Sequence, residues 1–227
     1  MRNQTSAQDL SSASMASLHW LREVALVRTP SNLDQEERSL TRSAGIGLMI
    51  TKALAKNGAA KVYIAGRRLD VLEAAAAAVG PNVIPIACDV TSKESLAAAA
   101  DRVRQDSGFL NLLVCNSGIG GPQAKLTEDI TLEQFAEANL ANSAEDYAKT
   151  FAVNSSAVWI SSMTFLTLLD AGNKKGNVQQ SSQIVVTTSI AAFNKKAPGG
   201  WVYGQSKAAA NLAMKQLSVA LPQWQIR

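Results

Sequence analysis

Residues 184–207 read IVVTTSIAAFNKKAPGGWVYGQSK and join a β-branched run to the start of an alanine-rich segment. The run at 184–188 predicts a buried strand, and the segment that begins near Tyr203 predicts a helix. Ser189 directly follows the run, so its hydroxyl would project from the carboxyl end of the strand. Tyr203 and Lys207 are four residues apart and therefore lie on one face of the helix, about a turn from each other.

These three side chains form a candidate proton-transfer site. A lysine ammonium close to a phenol favours the phenolate, so Lys207 would prepare Tyr203 to exchange a proton at neutral pH. A hydroxyl from a strand end and a Tyr/Lys pair from the next helix can converge on one carbonyl oxygen. A Tyr and a Lys at this spacing arise by chance roughly one time in six in such a chain. The interpretation therefore depends on the position of the pair after Ser189 and its strand.

The rest of the chain alternates short apolar strands with helices. Besides 184–188, strands are predicted at 23–27, 61–65, 83–88 and 110–115. Helices are predicted at 44–58, at 69–79, from a capping box at Thr91 to about residue 103, at 132–140 and at 145–169. The strands are apolar on both faces, which predicts an α/β fold with a doubly wound parallel sheet covered on both sides.

The composition favours one domain and argues against several classes of function. The chain has 227 residues, 47% of them hydrophobic, which is enough for one sizeable core. The net charge of +4 is scattered, so we interpret the basic residues as a solvated face and expect no nucleic-acid partner. The one histidine, His19, excludes a multi-histidine metal site, and no metal is expected.

The location of the protein is predicted from its cysteines and its apolar segments. Cys88 and Cys115 lie in apolar runs, which indicates buried, reduced thiols and favours the cytoplasm. Residues 1–16 form a polar leader that we expect to be disordered, and no signal peptide is indicated. The apolar segment 151–169 is interrupted by polar residues such as Asn154, so we expect a buried helix and no membrane span.

Candidate binding residues follow the predicted strand ends. In a doubly wound sheet, ligands bind outside the carboxyl ends of the strands, at the point where strand order reverses. The candidates expected to line this crevice are Gly45, Ile46, Gly47, Arg67, Arg68, Asp89, Val90, Asn116, Ser117, Gly118 and Ser189.

Two of these groups indicate a dinucleotide. Gly45 and Gly47 open a helix, where the backbone can approach a pyrophosphate, although a glycine pair before a helix is often turn chemistry alone. Arg67 and Arg68 follow the second strand, where arginine suits the 2′-phosphate of NADP(H) and an acidic residue would suit NAD(H). The alternative is a pair of solvated arginines. We favour NADP(H) over NAD(H).

Two asparagines are further candidates. Asn116 begins an Asn-Ser-Gly sequence that could be a plain turn. Asn154 lies on a helix that is apolar nearly all round, so its buried amide needs hydrogen-bond partners. The alternative for Asn154 is an amide satisfied by local backbone groups.

In this order, the motifs resemble the short-chain dehydrogenase/reductase family over residues 17–227. The matching positions are Gly45, Ile46, Gly47, Asp89, Val90, Asn116, Ser117 and Gly118 (Asn-Ala-Gly in the family), Asn154, Ser189, Tyr203 and Lys207. The resemblance implies a Rossmann-type fold and an NADP(H)-dependent oxidoreductase that interconverts a carbonyl and an alcohol by hydride transfer. The sequence at residues 47–50 and 63–68 is most similar to that of reductases of 3-oxoacyl thioesters.

The resemblance also implies roles for these residues. Tyr203 would be the general acid/base, Ser189 would hydrogen-bond the substrate carbonyl, and Lys207 would bind the nicotinamide ribose. Asn154 would support a water relay to Lys207. The adenine would contact Asp89 and Val90, and the cofactor ribose would lie beside Asn116. The implied partners are a small-molecule carbonyl or alcohol substrate and a second copy of the chain, bound through the two long helices, with no membrane partner.

The sequence departs from the family pattern at two places. Residues 28–43 separate the first strand from Ala44, where the family has about four residues, so we interpret them as an inserted loop. The first glycine of the family motif aligns with Thr41, which cannot cheaply adopt a positive φ. After Trp224 we expect the last strands of the fold to be missing and the preceding strand to be an exposed edge. The alternative function is therefore a truncated, non-catalytic member of the family or an interaction module.

Overall fold

The computed structural model describes residues 23–25, 45–124, 129–197 and 200–227. The predicted leader at 1–16 and the predicted insertion at 28–43 lie outside these residues, as does Thr41.

The described strands form one parallel sheet. They are β1 (Glu23–Ala25), β2 (Lys61–Gly66), β3 (Val83–Ala87), β4 (Leu112–Cys115) and β5 (Gln183–Val186). The order across the sheet is β3-β2-β1-β4-β5, so the chain passes from β1 outward on one side and then returns to the other side of β1 with β4. This order confirms the doubly wound parallel sheet and puts the strand-order reversal between β1 and β4.

The described helices connect these strands. They are α1 (Ile46–Lys56), α2 (Leu69–Val79), α3 (Lys93–Asp106), α4 (Leu132–Leu140), α5 (Ala144–Phe151), α6 (Ala157–Lys175) and α7 (Trp201–Ala220). A π-helical turn at Ala152–Ser156 joins α5 to α6, and 3-10 turns lie at Ile190–Ala192 and Pro222–Trp224.

Both faces of the sheet are covered, as apolar strands require. On β2, Tyr63 and Ala65 pack into the core cluster that α3 and α6 share. Val62 and Ile64 point to the opposite face and pack with α1 and α2. The alternation of side chains along a strand thus supplies two cores from one continuous apolar run.

The predicted single helix at 145–169 is wrong in two respects. It is interrupted by the π-helical turn, and it continues to Lys175 before Gly176 ends it in the left-handed conformation, at φ 60°. By length and composition the run Ala144–Lys175 could cross a membrane, but half of its most apolar window is buried inside the domain. The helix contributes fully buried side chains such as Phe165 to the core, as expected for a core helix.

The predicted capping box at Thr91 is also wrong. The N-cap of α3 is Ser92, whose hydroxyl accepts a hydrogen bond from the backbone N–H of Ser95. Thr91 is engaged by Asp89, whose Oδ1 accepts from both the Thr91 N–H and the Thr91 hydroxyl. The competing aspartate turn moves the helix start by one residue.

The edge of β5 is partly paired. The backbone N–H of Arg227 donates to the Ser182 carbonyl at 3.0 Å, and the Arg227 carbonyl accepts from Ile184 N–H at 2.7 Å. The predicted exposed edge is therefore covered by Arg227 at Ser182 and Ile184. Further along the strand, Val185 keeps 45% of its surface exposed.

Candidate active site

The carboxyl ends of β4 and β5 lie side by side and bring the central candidates together. The two strands pair from Leu112 and Gln183 to Cys115 and Val186. The chain leaves β4 through Asn116 and leaves β5 towards Ser189. The candidate site is formed by the two segments that follow β4 and β5, by the π-helical turn and by the first turns of α7.

Asn154 is fully buried in the π-helical turn and uses its whole side-chain amide. Its Oδ1 accepts from the Ile119 N–H at 2.8 Å, and its Nδ2 donates to the Ile119 carbonyl at 2.9 Å. The second Nδ2 hydrogen goes to the hydroxyl of Ser206 at 3.0 Å. The buried amide is thus satisfied by a distant loop and by α7, not by local backbone groups. Single π-helical turns inside helices are frequent at functional sites.

Lys207 is a buried cation held by the end of β5. Its side chain is 3% exposed, and its Nζ donates to the Thr187 carbonyl at 2.8 Å. Burial lowers the pKa of the Lys207 ammonium from its ordinary value, and among the described residues no carboxylate pairs with it. Two further N–H donors of the ammonium are available to other acceptors. Tyr203 lies one turn earlier on α7 and is half-buried.

Thr187 connects Lys207 to Asn116, the first residue after β4. While its carbonyl accepts from Lys207, its hydroxyl donates to Asn116 Oδ1 at 2.7 Å. Asn116 is therefore a bridge between the two strand ends, which favours a structural role over a plain solvent-exposed turn.

Gly118 is close to both buried polar groups. A Cβ at this position would lie 3.2 Å from Lys207 Nζ and 3.5 Å from Asn154 Oδ1. The glycine therefore leaves room beside the ammonium that a side chain would fill. Ser117 lies next to it and lines a small crevice with Val90, Val114 and Cys115.

Ser189 begins a 3-10 turn that is fixed against α7. Its hydroxyl accepts from the Ala191 N–H at 3.2 Å, which uses a lone pair and leaves the hydroxyl proton available. The turn packs closely on Gly204, where a Cβ would lie 2.8 Å from the Ala191 carbonyl oxygen. Gly204 follows Tyr203 in the chain, so this contact seats the Ser189 turn on the part of α7 that carries the tyrosine.

The cofactor candidates lie at the other strand ends. Gly45 is the N-cap of α1, which has no side-chain cap and no acidic residue in its first turn. Gly47 is buried in that turn, and Ile46 is half exposed. An anion would therefore meet the positive end of the helix without a competing carboxylate from these residues. The donor set fits a pyrophosphate.

Arg67 and Arg68 are both exposed directly after β2. Arg68 is the N-cap position of α2 and makes no side-chain cap hydrogen bond. Of the two candidates beyond the end of β3, Asp89 accepts hydrogen bonds from Thr91, and Val90 is 4% exposed. A ligand would therefore reach little of the Val90 side chain.

Sequence reasoning missed several residues that build the site. Thr187, Ser206 and Gly204 each contact or support a candidate residue. The sequence contained one signal, since Ser206 lies between Tyr203 and Lys207, but its distant partner Asn154 is visible only in the fold. The described residues contain no group of three His, Cys, Asp or Glu side chains that could hold a metal ion. Cys88 and Cys115 are buried, as predicted, and no disulfide joins them; burial raises the pKa of Cys115 to about 12.

Comparisons with known proteins match most of the chain. The family model for short chain dehydrogenase matches residues 41–227. The short-chain dehydrogenase/reductase PhomF′ of Diaporthe leptostromiformis is 43% identical over 188 residues, which are 82% of this chain and 64% of that protein. The chain thus spans under two thirds of that relative's length.

Solved structures share the same fold. A short-chain type dehydrogenase/reductase from Mycobacterium marinum is 26% identical with a TM-score of 0.69, over 94% of this chain and 73% of that one. The Pseudomonas aeruginosa RhlG/NADP active-site complex is 21% identical with a TM-score of 0.68, over 92% of this chain and 71% of that one. The fold, the family match and the sequence identity agree, and the chain belongs to the short-chain dehydrogenase family, whose members are NAD(P)-dependent oxidoreductases.

Proposed function

We propose that this chain binds NADP(H) and interconverts a carbonyl and an alcohol, with Tyr203 as the general acid/base. One observation carries the proposal. The buried ammonium of Lys207 is bound by the Thr187 carbonyl just after β5, one helical turn from Tyr203 and beside the open space at Gly118. Burying a cation with one carbonyl partner is costly, and such costs are concentrated at functional sites.

The chain's own residues divide the work at the substrate oxygen. The Tyr203 phenol gives a proton to this oxygen in reduction and takes it back in oxidation. The Ser189 hydroxyl, whose lone pair is engaged by Ala191, donates its proton as a hydrogen bond to the same oxygen. Lys207 stabilises the phenolate that remains and offers its two other N–H donors to ribose hydroxyls. A nicotinamide bound beside Gly118 would supply or accept the hydride.

The choice of NADP(H) depends on the arginines after β2. Arg67 and Arg68 are exposed directly after β2, a strand that packs against α1, and a 2′-phosphate bound there would meet two cationic side chains. Arginine recognises phosphate through paired N–H donors. We also assign the pyrophosphate to the first turn of α1, at Gly45 and Gly47.

The test separates binding from turnover. NADPH fluorescence should increase on mixing with the protein, and Arg68→Ala should weaken NADPH binding about tenfold while leaving NADH binding unchanged. Tyr203→Phe should abolish turnover of carbonyl substrates and retain NADPH binding. Tyr147→Phe is the matched control, since Tyr147 lies on α5 and belongs to no part of the proposed site. Absence of binding at millimolar NADPH would refute the proposal for this chain.

A second candidate function is assembly without catalysis. The helices α6 and α7 expose large apolar side chains: Trp159 is 43% exposed, Leu212 57% and Val219 83%. Such residues are typical of protein–protein contacts. We propose that two copies associate through these helices. Light scattering of the wild type should give a dimer or larger assembly, and Leu212→Glu should give a monomer. A wild-type monomer at high micromolar concentration would contradict this.

A further inference from the structure

Ser206 is a fully buried serine that bridges two candidate site residues. Its hydroxyl donates to the Tyr203 carbonyl at 2.8 Å and accepts from Asn154 Nδ2 at 3.0 Å. Neither bond involves a ligand, and neither places Ser206 at a reacting atom.

The direction of each bond follows from the partners. The Ile119 N–H can only donate and the Ile119 carbonyl can only accept, which fixes Asn154 with Oδ1 towards the N–H and Nδ2 towards the carbonyl. The remaining Nδ2 hydrogen therefore points to Ser206, whose oxygen must accept. The hydroxyl proton of Ser206 is then directed to the Tyr203 carbonyl, which offers no donor.

The bridge connects three elements whose relative positions define the site. Through Asn154 it reaches the loop after β4 and the π-helical turn, and through its own backbone it belongs to the first turns of α7. We propose that Ser206 is a positioning residue that sets the place of Tyr203 relative to Asn154 and to the Gly118 loop. This inference rests on the proposed function.

A purely structural role is the competing explanation. Serines inside helices often donate to a carbonyl one turn earlier, and Ser162 does so on α6 with the Val158 carbonyl at 2.8 Å. Ser162 is also fully buried. Ser162 also has a hydrogen bond with the thiol of Cys115 at the end of β4, so what distinguishes Ser206 is the acceptor bond from Asn154. Ser162→Ala is therefore a matched control for the loss of a buried helical hydroxyl.

The experiment compares turnover with binding in Ser206→Ala and Ser162→Ala. Ser206→Ala should lower kcat about tenfold and shift the pH midpoint of kcat, while KM and the dissociation constant of NADPH change less than about twofold, because small displacements of a catalytic group reduce rate more than binding. Ser162→Ala should leave all four quantities near wild type.

A double-mutant cycle identifies the partner. Asn154→Ala removes the donor of the same bond, so the loss in kcat for Asn154→Ala with Ser206→Ala should be smaller than the product of the two single losses. If the loss in kcat of the double variant equals the product of the two single losses, the inference is overturned. Equal kcat in Ser206→Ala and Ser162→Ala would overturn it as well.

Two readouts keep the inference separate from the proposed function. If Tyr203→Phe abolishes turnover but Ser206→Ala has wild-type kcat, this inference fails and the proposed function stands. If Tyr203→Phe retains turnover, the proposed function itself fails. If Ser206→Ala does not fold, Ser206→Cys is the second variant, because it keeps a side chain of nearly the same shape whose sulfur is a weak acceptor. Its kcat should also fall. A wild-type kcat in Ser206→Cys would overturn the inference.

Discussion

Replacing Gly118 with alanine tests whether the position of Lys207 matters for function more than for stability. The added Cβ would lie 3.2 Å from Lys207 Nζ and 3.8 Å from Lys207 Cε. A methyl group at 3.2 Å is tighter than an ordinary contact, so the ammonium must move by a few tenths of an ångström. Its hydrogen bond to the Thr187 carbonyl, now 2.8 Å, would lengthen to about 3.1 Å.

The expected costs differ for folding and for turnover. A hydrogen bond from a charged group contributes about 1.5–3 kcal/mol, and lengthening without rupture removes a fraction of it, about 0.5–1 kcal/mol of unfolding free energy. Turnover should fall about tenfold or more, because in the proposed function Lys207 acts on Tyr203 and on the cofactor ribose from its present position. NADPH affinity should fall as well, since the methyl group fills the space beside the ammonium.

The matched control is Gly120→Ala in the same loop. Gly118 and Gly120 are both exposed, neither has a positive φ, and a Cβ at Gly120 would meet nothing within 4 Å. NADPH fluorescence titration, steady-state kinetics and thermal unfolding on both variants give the comparison. Equal turnover and equal NADPH affinity in the two variants would refute the reasoning, whatever their melting temperatures.

Three further predictions concern stability and its pH dependence. Burial lowers the pKa of Lys207, so the unfolded chain binds the lysine proton more readily than the folded chain does. The unfolding free energy of the wild type in urea, compared with that of Lys207→Met, should therefore rise as pH increases towards 10.5. A difference between the two proteins that does not change with pH would contradict this. Gly172→Ala would put a Cβ 1.9 Å from the Leu110 carbonyl oxygen, so we expect a loss of about 3 kcal/mol or more, measured by urea unfolding, and wild-type stability would exclude the contact. Tyr63→Phe removes the hydroxyl that, together with Lys61, holds the pKa of Asp106 below its ordinary value. Stability should fall by about 1–2 kcal/mol at pH 7 and by less once acid has protonated the carboxyl, whereas a loss that stays equal through the whole acid titration would argue against this role of Asp106.

The strands could be predicted closely because their cause is local. A strand covered on both faces must be apolar at every position, and 61–65 and 83–88 carry that pattern within their own sequence. The strand predicted at 110–115 begins two residues later, at Leu112, because the Leu110 N–H donates to the Leu168 carbonyl on α6. That partner is far away in the sequence and leaves no periodic signal.

The interior of the site was less predictable for the same reason. The π-helical turn at Ala152–Ser156 coincides with the bonds that Asn154 makes to Ile119, and no property of residues 145–169 alone distinguishes it from a continuous helix. The end of α6 did carry a local signal, since Gly176 follows two lysines, as helix ends often do. This local signal places the end of the helix at Lys175, six residues beyond the predicted end at residue 169.

Three of the four catalytic candidates, Ser189, Lys207 and Asn154, fall into two physical classes. The hydroxyl proton of Ser189 and two N–H donors of Lys207 remain after their protein contacts, so these groups can bind a ligand directly. Asn154 is different, because both of its Nδ2 hydrogens and its Oδ1 are already bonded within the protein. Any relay of protons past Asn154 must therefore use the backbone of the π-helical turn or solvent beside it, and the side chain contributes by holding the Gly118 loop against α7. On this argument, substitutions at Asn154 should act on Tyr203 and Lys207 through geometry, which is why the Ser206 bond is the place to test it.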